Sequence, residues 1–251
     1  MFMESIVTDL STGLGEGKYA LAIHTASPEL GLAMSNFSGA GRSHTWDLGR
    51  GMSTQLHVHL ESFLRPQHWT DLAFIVVAKG PGGFTGTRIG VVTARTLAQQ
   101  LNIPLFAIST LQSLGWATLR TESANPSSAA DNTSPCLDIA VEMAARRGDV
   151  YGAIYAHRTA DHAKPIRQKD SEIAPQPSPI PLQPTMTDTV LPREQWQQTL
   201  SSWPHPNRLI VAEGGLGWTT PDMLDLAYQC WCKGDRPCWS DALPYYGQSP
   251  V

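Results

Sequence analysis

No apolar run in this sequence approaches the ~20 residues that a membrane-spanning helix requires. The stretch Met1–Lys18 has neither a basic start nor a continuous apolar block, so no signal peptide is expected. An excess of basic charge is missing too: 18 Lys and Arg stand against 22 Asp and Glu, a formal net charge of −4. That excludes the chain as the main electrostatic docking surface for a nucleic acid. Cysteine is scarce, with Cys136, Cys230, Cys232 and Cys238 the only four. Their spacing is wrong for a zinc knuckle, so they read as free thiols of a cytoplasmic protein. No HExxH motif, no Gly-x-Ser-x-Gly elbow and no histidine pair four apart occurs. His57 and His59 lie two apart on a predicted helix and so do not share a face. No metal site, cofactor site or catalytic residue is predicted from these features.

What is present is a folded α/β pattern. At 251 residues and 41% hydrophobic, the chain suits one large or two modest domains. Residues 1–18, with Gly13, Gly15 and Gly17, read as a flexible extension. Tyr19–Thr25, Leu30–Ser35 and Ser43–Leu48 read as three antiparallel strands. Ser53 or Thr54 is placed to cap a helix with an apolar stripe of Leu56, Leu60, Phe63 and Leu64, ended by Arg65-Pro66. Leu72–Ala78 is apolar enough for a strand covered on both faces. A second helix runs over Thr85–Leu101 and stops at Asn102. A strand at Leu105–Ile108 follows, then a third helix from Ser109 or Thr110 to about Leu119. The order is that of one half of an actin-like ATPase, built on a ribonuclease-H-like core.

The most informative stretch lies between the fourth strand and the second helix. It contains Gly80, Pro81, Gly82, Gly83, Phe84, Thr85 and Gly86, and leads into Arg88, Ile89 and Gly90. Glycine at this density lets the backbone approach a partner closely. A phosphate at the helix N-terminus is one reading. It lacks the lysine followed by serine or threonine of a P-loop, and the spacing misses the dinucleotide fingerprint. The carboxylate expected after the first strand of an actin-like ATPase is replaced by His24, and magnesium prefers oxygen donors. Close packing is the other reading. Gly90, Ala94 and Ala98 form a small-residue stripe at spacing i, i+4, i+8, with Ile89, Val92, Leu97 and Leu101 beside it. Such a stripe serves either the core or a partner, and Arg65, Arg88 and Arg95 read as a solvated face.

A polar linker at 121–135 leads to a reduced second unit over 121–251. Leu137–Ala145 and Val150–His157 pair around Arg147-Gly148-Asp149, with Asp138 and Glu142 on one strand face as solvent-facing or structural groups. Residues 174–206 carry many prolines and read as an irregular insertion. A short strand at Leu209–Ala212, the turn Glu213-Gly214-Gly215 and a helix over Pro221–Cys232 close the second unit.

The chain resembles the TsaB family, the non-catalytic subunit of the bacterial tRNA threonylcarbamoyladenosine machinery, also described as an inactive glycoprotease homologue. The resemblance rests on the segment ending His24-Thr25-Ala26, on the glycine block Gly80–Gly90 and on Ala145-Arg146-Arg147-Gly148-Asp149-Val150-Tyr151. Weaker echoes lie at Val211–Gly215 and Pro244-Tyr245-Tyr246. The family usually has aspartate at the positions of His24 and Ala144, and a histidine near Ser53. The resemblance implies an actin-like fold of two related subdomains, 19–120 and 121–251. It implies pairing with a catalytic paralogue, TsaD, through the helices bearing Leu56, Leu60, Phe63 and Leu64 and Arg88, Ile89, Gly90, Ala94, Leu97 and Ala98. The paralogue's metal-binding His-x-x-x-His pair is absent here. A small ATPase, TsaE, is implied as a further member of the complex, tRNA as an indirect partner, and self-association when the partner is missing. The rival expectation is an active ATP-dependent kinase or hydrolase of the actin-like superfamily.

Overall fold

The computed structural model describes residues 14–124, 137–157 and 182–247. Residues 1–13 of the expected extension, 125–135 of the expected linker and 174–181 of the expected insertion lie outside them. Two sheets organise the chain. The first holds β1 (Tyr19–His24), β2 (Glu29–Ser35), β3 (Gly41–Asp47), β4 (Leu72–Ala78) and β5 (Leu105–Ile108) in the order β3-β2-β1-β4-β5. The second holds β6 (Leu137–Ala144), β7 (Asp149–His157), β8 (Leu182–Pro192) and β9 (Asn207–Val211) in the order β8-β7-β6-β9. Strand by strand, the second repeats the first without its last parallel strand: β1 and β4 pair parallel as β6 and β9 do. The expected mixed sheets flanked by helices, the second reduced, are what the chain forms.

The helices are α1 (Met52–Leu64), α2 (Phe84–Leu101), α3 (Thr110–Ala124), α4 (Arg193–Ser201) and α5 (Thr220–Cys232). Their boundaries follow local chemistry. Asn102 closes α2 in the left-handed region at φ 53°. Arg65, extended before Pro66, closes α1. Ser109 caps α3, its Oγ accepting from the N–H groups of Leu111 and Gln112. The expected cap at Ser53 or Thr54 does not form. Gly51 occupies the N-cap position, and the Thr54 hydroxyl donates to its carbonyl. The third helix continues past Leu119 into the start of the expected linker.

The layers run α1 and α2, first sheet, α5 and α3, second sheet, α4. Leu56, Leu60 and Leu64 of α1 and Val91, Ala94 and Ala98 of α2 share one core with Leu21, Ile23, Leu32, Ile75 and Val77. Met223, Leu224, Leu226 and Ala227 of α5 cover the other face of that sheet, against Ala20, Ala22, Phe74 and Val76. Leu111 and Leu114 of α3 cover the second sheet at Ile139, Val141, Tyr155 and Ile210. Trp196 of α4 buries its ring on the far face with Ala140, Val150 and Ile154. The helices at the waist are therefore exchanged: α3 leaves the first sheet to cover the second, and α5 leaves the second to cover the first. A division at residue 120 follows the chain but not the packing.

The irregular insertion expected over 174–206 is overturned within its described part, which contains all of β8 and α4. Prolines misled the reading. Pro184 and Pro192 sit in β8, an edge strand, where a missing N–H costs no ladder bond on the free side.

Candidate functional site

The glycine turn is built against the chain's own backbone. β4 delivers Lys79 and Gly80, the latter at φ +100°, a conformation that side chains resist. A Cβ at Gly80 would stand 2.4 Å from the Tyr245 carbonyl oxygen, and one at Gly82 would stand 2.2 Å from that of Ala26. The Gly83 N–H donates to the same Ala26 oxygen at 2.7 Å, Thr110 N–H to Gly80 at 2.9 Å and Tyr245 N–H to Lys79 at 2.7 Å. Three separate segments thus converge on the turn: the end of β1, the start of α3 and the C-terminal stretch.

The small-residue stripe has the same role. A Cβ at Gly90 would lie 2.1 Å from the Thr25 hydroxyl oxygen, and Ala94 and Ala98 are fully buried over the sheet. The close approach that the stripe permits is to the first sheet. Six of the expected partner-facing residues, Leu56, Leu60, Leu64, Gly90, Ala94 and Ala98, are therefore interior and unavailable to another chain. Arg88 is exposed, and Phe63, Ile89 and Leu97 are half-buried. The outer face also bears Val58 and Val92, 57% and 54% exposed. The helices that carry them adjoin. Arg65 pairs with Glu61 at 3.2 Å, and Arg95 lies over the Trp239 ring.

Between the two sheets opens a cleft of about 600 Å³. Ala26, Ser27, Gly82, Gly83 and Phe84 form one wall, and Met143, Ala144, Ala145, Arg146 and Tyr151 the other. Gly214, Leu216 and Tyr246 complete it. Among the described residues its lining offers one cation, Arg146, and no carboxylate. The magnesium–nucleotide pair of the rival ATPase expectation needs hard oxygen ligands for the metal, and among the described residues these walls hold no carboxylate to supply them. His24 cannot substitute. It is fully buried at the end of β1, and burial pushes its pKa down to about 4, so the ring is neutral near pH 7. Among the described residues, neither ring nitrogen has a hydrogen-bond partner on another residue, and only the residue's own backbone opposes the effect of burial.

Asp138 and Glu142 prove structural. Glu142 accepts the Trp196 indole N–H at 2.6 Å and meets Arg193 at 3.3 Å, and Asp138 accepts that of Trp203 at 2.7 Å. Spacing i, i+4 on β6 puts both carboxylates under the α4 segment. Asp188 of β8 accepts from Ser109 Oγ at 2.7 Å and from the Tyr155 hydroxyl at 3.3 Å. Burial raises its pKa, opposed by these bonds and by Lys79. Cys230, Cys232 and Cys238 are free thiols.

The sequence reading missed the walls of the cleft as a set. Phe84, Arg146 and Tyr246 all lay in motifs singled out from sequence, but nothing linear said that they meet. Glu29, whose carboxylate accepts the Gly217 N–H at 3.1 Å, carried no signal beyond its place in a turn.

Comparison with known proteins supplies the family context. The family described as TsaD, tRNA N6-adenosine threonylcarbamoyltransferase, matches over residues 57–163. The Bacillus subtilis tRNA threonylcarbamoyladenosine biosynthesis protein TsaB is 36% identical over 143 residues, and the match spans about half of each chain, 55%. The Escherichia coli protein of the same name is 26% identical over 237 residues, 92% of this chain and 95% of that one. A solved Pseudomonas aeruginosa structure described as similar to peptidase YEAZ superposes with a TM-score of 0.65 at 20% identity, over 92% of this chain and all of that one. The expected resemblance to TsaB proteins and the expected α/β fold of mixed sheets flanked by helices are both borne out. No helix among the described residues is long and apolar enough to cross a membrane.

Proposed function

With proteins named TsaB as its curated homologues, we propose that this chain is an accessory, non-catalytic subunit of tRNA threonylcarbamoyladenosine biosynthesis. It pairs with a TsaD-type transferase, which carries out threonylcarbamoylation of the adenosine next to the anticodon. The observation that carries the reading is the match to the Escherichia coli TsaB along 95% of that protein. A cleft whose described lining holds no carboxylate supports the accessory role over the rival kinase or hydrolase reading. A TsaE-type ATPase joins through the complex, tRNA is contacted indirectly, and the protein is cytoplasmic.

The contact surface in this reading is the outer face of α1 and α2. Val58, Phe63, Arg88, Ile89, Val92 and Leu97 form it, and the buried leucine and small-residue stripes only hold the two helices in place. Exposed valines are suited to a partner of similar build, because burying apolar surface stabilises by about 25 cal/mol per Å². Co-purification with the TsaD-type protein tests this. Val58→Glu combined with Val92→Glu is expected to weaken pairing at least tenfold while leaving the circular dichroism unchanged. Full-strength pairing by that folded variant refutes the surface. Calorimetric titration of the chain alone with magnesium and ATP is expected to show no turnover.

A further inference from the structure

The chain crosses between the sheets more than once among the described residues, and a side chain ties each crossing to the half it reaches. Where β5 leads into α3, the Ser109 hydroxyl donates to Asp188 of the second sheet at 2.7 Å. Where β9 leads back to α5, the Gly217 N–H donates to Glu29 of β2, and the Leu216 N–H to Ser27 Oγ, both at 3.1 Å. The Glu29 carboxylate fills the space above Gly215, where a Cβ would lie 2.0 Å from its carboxyl carbon. Where the C-terminal stretch leaves the first sheet, Tyr245 N–H is bonded to Lys79. The next residue accepts the Tyr151 hydroxyl of β7 through its carbonyl, at 3.1 Å. The Tyr246 ring meanwhile lies 4.4 Å from that of Phe84, the first residue of α2.

We propose that these ties clamp the cleft at a fixed width, with Glu29 and Tyr246 as opposed pins on its two sides. The cleft then acts as a rigid wall and not as a jaw that closes on a ligand. The pins have separate chemistry. Glu29 holds a backbone amide with a charged acceptor, which strengthens the bond. Tyr246 holds one half through its ring and the other through its carbonyl. Two units of one chain move relative to each other by default unless packing or bonds hold them, so a clamp of this kind needs bonds at each crossing. Those are the bonds seen here.

Hydrogen exchange of the full-length chain, read by mass spectrometry, tests the clamp. Glu29→Ala is expected to speed exchange of the Leu216 and Gly217 amides at least tenfold, and Tyr246→Ala that of Tyr245. Peptides from the centres of β1 and β6 are expected to exchange as in the parent. Together the two substitutions are expected to enlarge the radius of gyration in small-angle scattering. Glu29→Gln keeps an acceptor oxygen without the charge and is expected to fall between the parent and Glu29→Ala, and Tyr151→Phe loosens the Tyr246 side without removing a ring. Loosening by Glu29→Gln equal to that by Glu29→Ala overturns the Glu29 pin. Unchanged exchange in Tyr151→Phe, together with unchanged scattering in the double variant, overturns the clamp as a whole.

Discussion

Thr25 and Gly90 meet so closely that no side chain fits between them. The Thr25 hydroxyl donates to the Gly86 carbonyl at 2.8 Å, and its oxygen stands 2.1 Å from where a Gly90 Cβ would be. One residue at the end of β1 thereby fixes the first two turns of α2 on the sheet.

Gly90→Ala is therefore expected to destabilise the chain by about 1–3 kcal/mol, the range for overpacking a close contact. Urea unfolding measures it. Thr25→Ala added to Gly90→Ala is expected to restore part of the loss, since it removes the clashing oxygen at the expense of one hydrogen bond. Strict additivity of the two losses shows that the contact is unimportant.

Stability is expected to carry a signature of His24 on acidification. The unfolded ring titrates at 6.5, while the buried ring does not take a proton until about pH 4. Below 6.5 the unfolded chain therefore binds the extra proton, and stability falls progressively, by up to about 3 kcal/mol at pH 4. His24→Met is expected to abolish that slope. It is also expected to raise stability near neutral pH, because two buried nitrogens without a partner on any other described residue disappear. Denaturant titrations across pH 4–7 check both effects.

Asp222 is expected to act in the opposite sense. Burial raises its carboxyl to about 6 despite Arg120 Nε at 2.8 Å. The folded chain takes up this proton before the unfolded chain does, so stability rises as pH falls from 6 toward 3.8. The parent shows the two slopes superimposed. Asp222→Asn is expected to remove its own contribution and leave the histidine slope together with those of Asp188 and Asp225, whose carboxyls burial also raises, and a curve identical to the parent's contradicts the assignment.

Glu142 and Trp196 offer a test of the second sheet. Trp196→Phe keeps most of the buried ring but removes the donor to Glu142, leaving a carboxylate that is 9% exposed with Arg193 alone. A loss of about 1–3 kcal/mol is expected from the unsatisfied acceptor. Glu142→Gln, which still accepts the indole N–H, is expected to cost less. Thermal unfolding followed by circular dichroism separates the two.

Replacing interior and exterior residues of α1 and α2 should have different consequences. Leu60→Ala removes a buried side chain and is expected to cost about 2–5 kcal/mol of stability. Val58→Glu changes an exposed position and is expected to leave the unfolding midpoint within a few degrees of the parent. Equal losses in the two variants contradict the orientation of α1.

The sequence alone determined the local elements. The apolar runs Tyr19–Thr25 and Leu72–Ala78 read as strands covered on both faces, Asn102 and Pro66 as helix ends, and the glycine block announced a close approach. It also excluded metal-ligating and nucleophilic motifs, because those depend on spacing along the chain. Tertiary structure decided what each face meets. A stripe such as Gly90, Ala94 and Ala98 looks the same whether its neighbour is the chain's own sheet or another protein, since periodicity gives a direction but not a partner. The exchange of α3 and α5 between the sheets, and the meeting of Phe84, Tyr151 and Tyr246 around the cleft, were hidden for the same reason. These contacts join residues far apart in sequence, and only the folded chain brings them together.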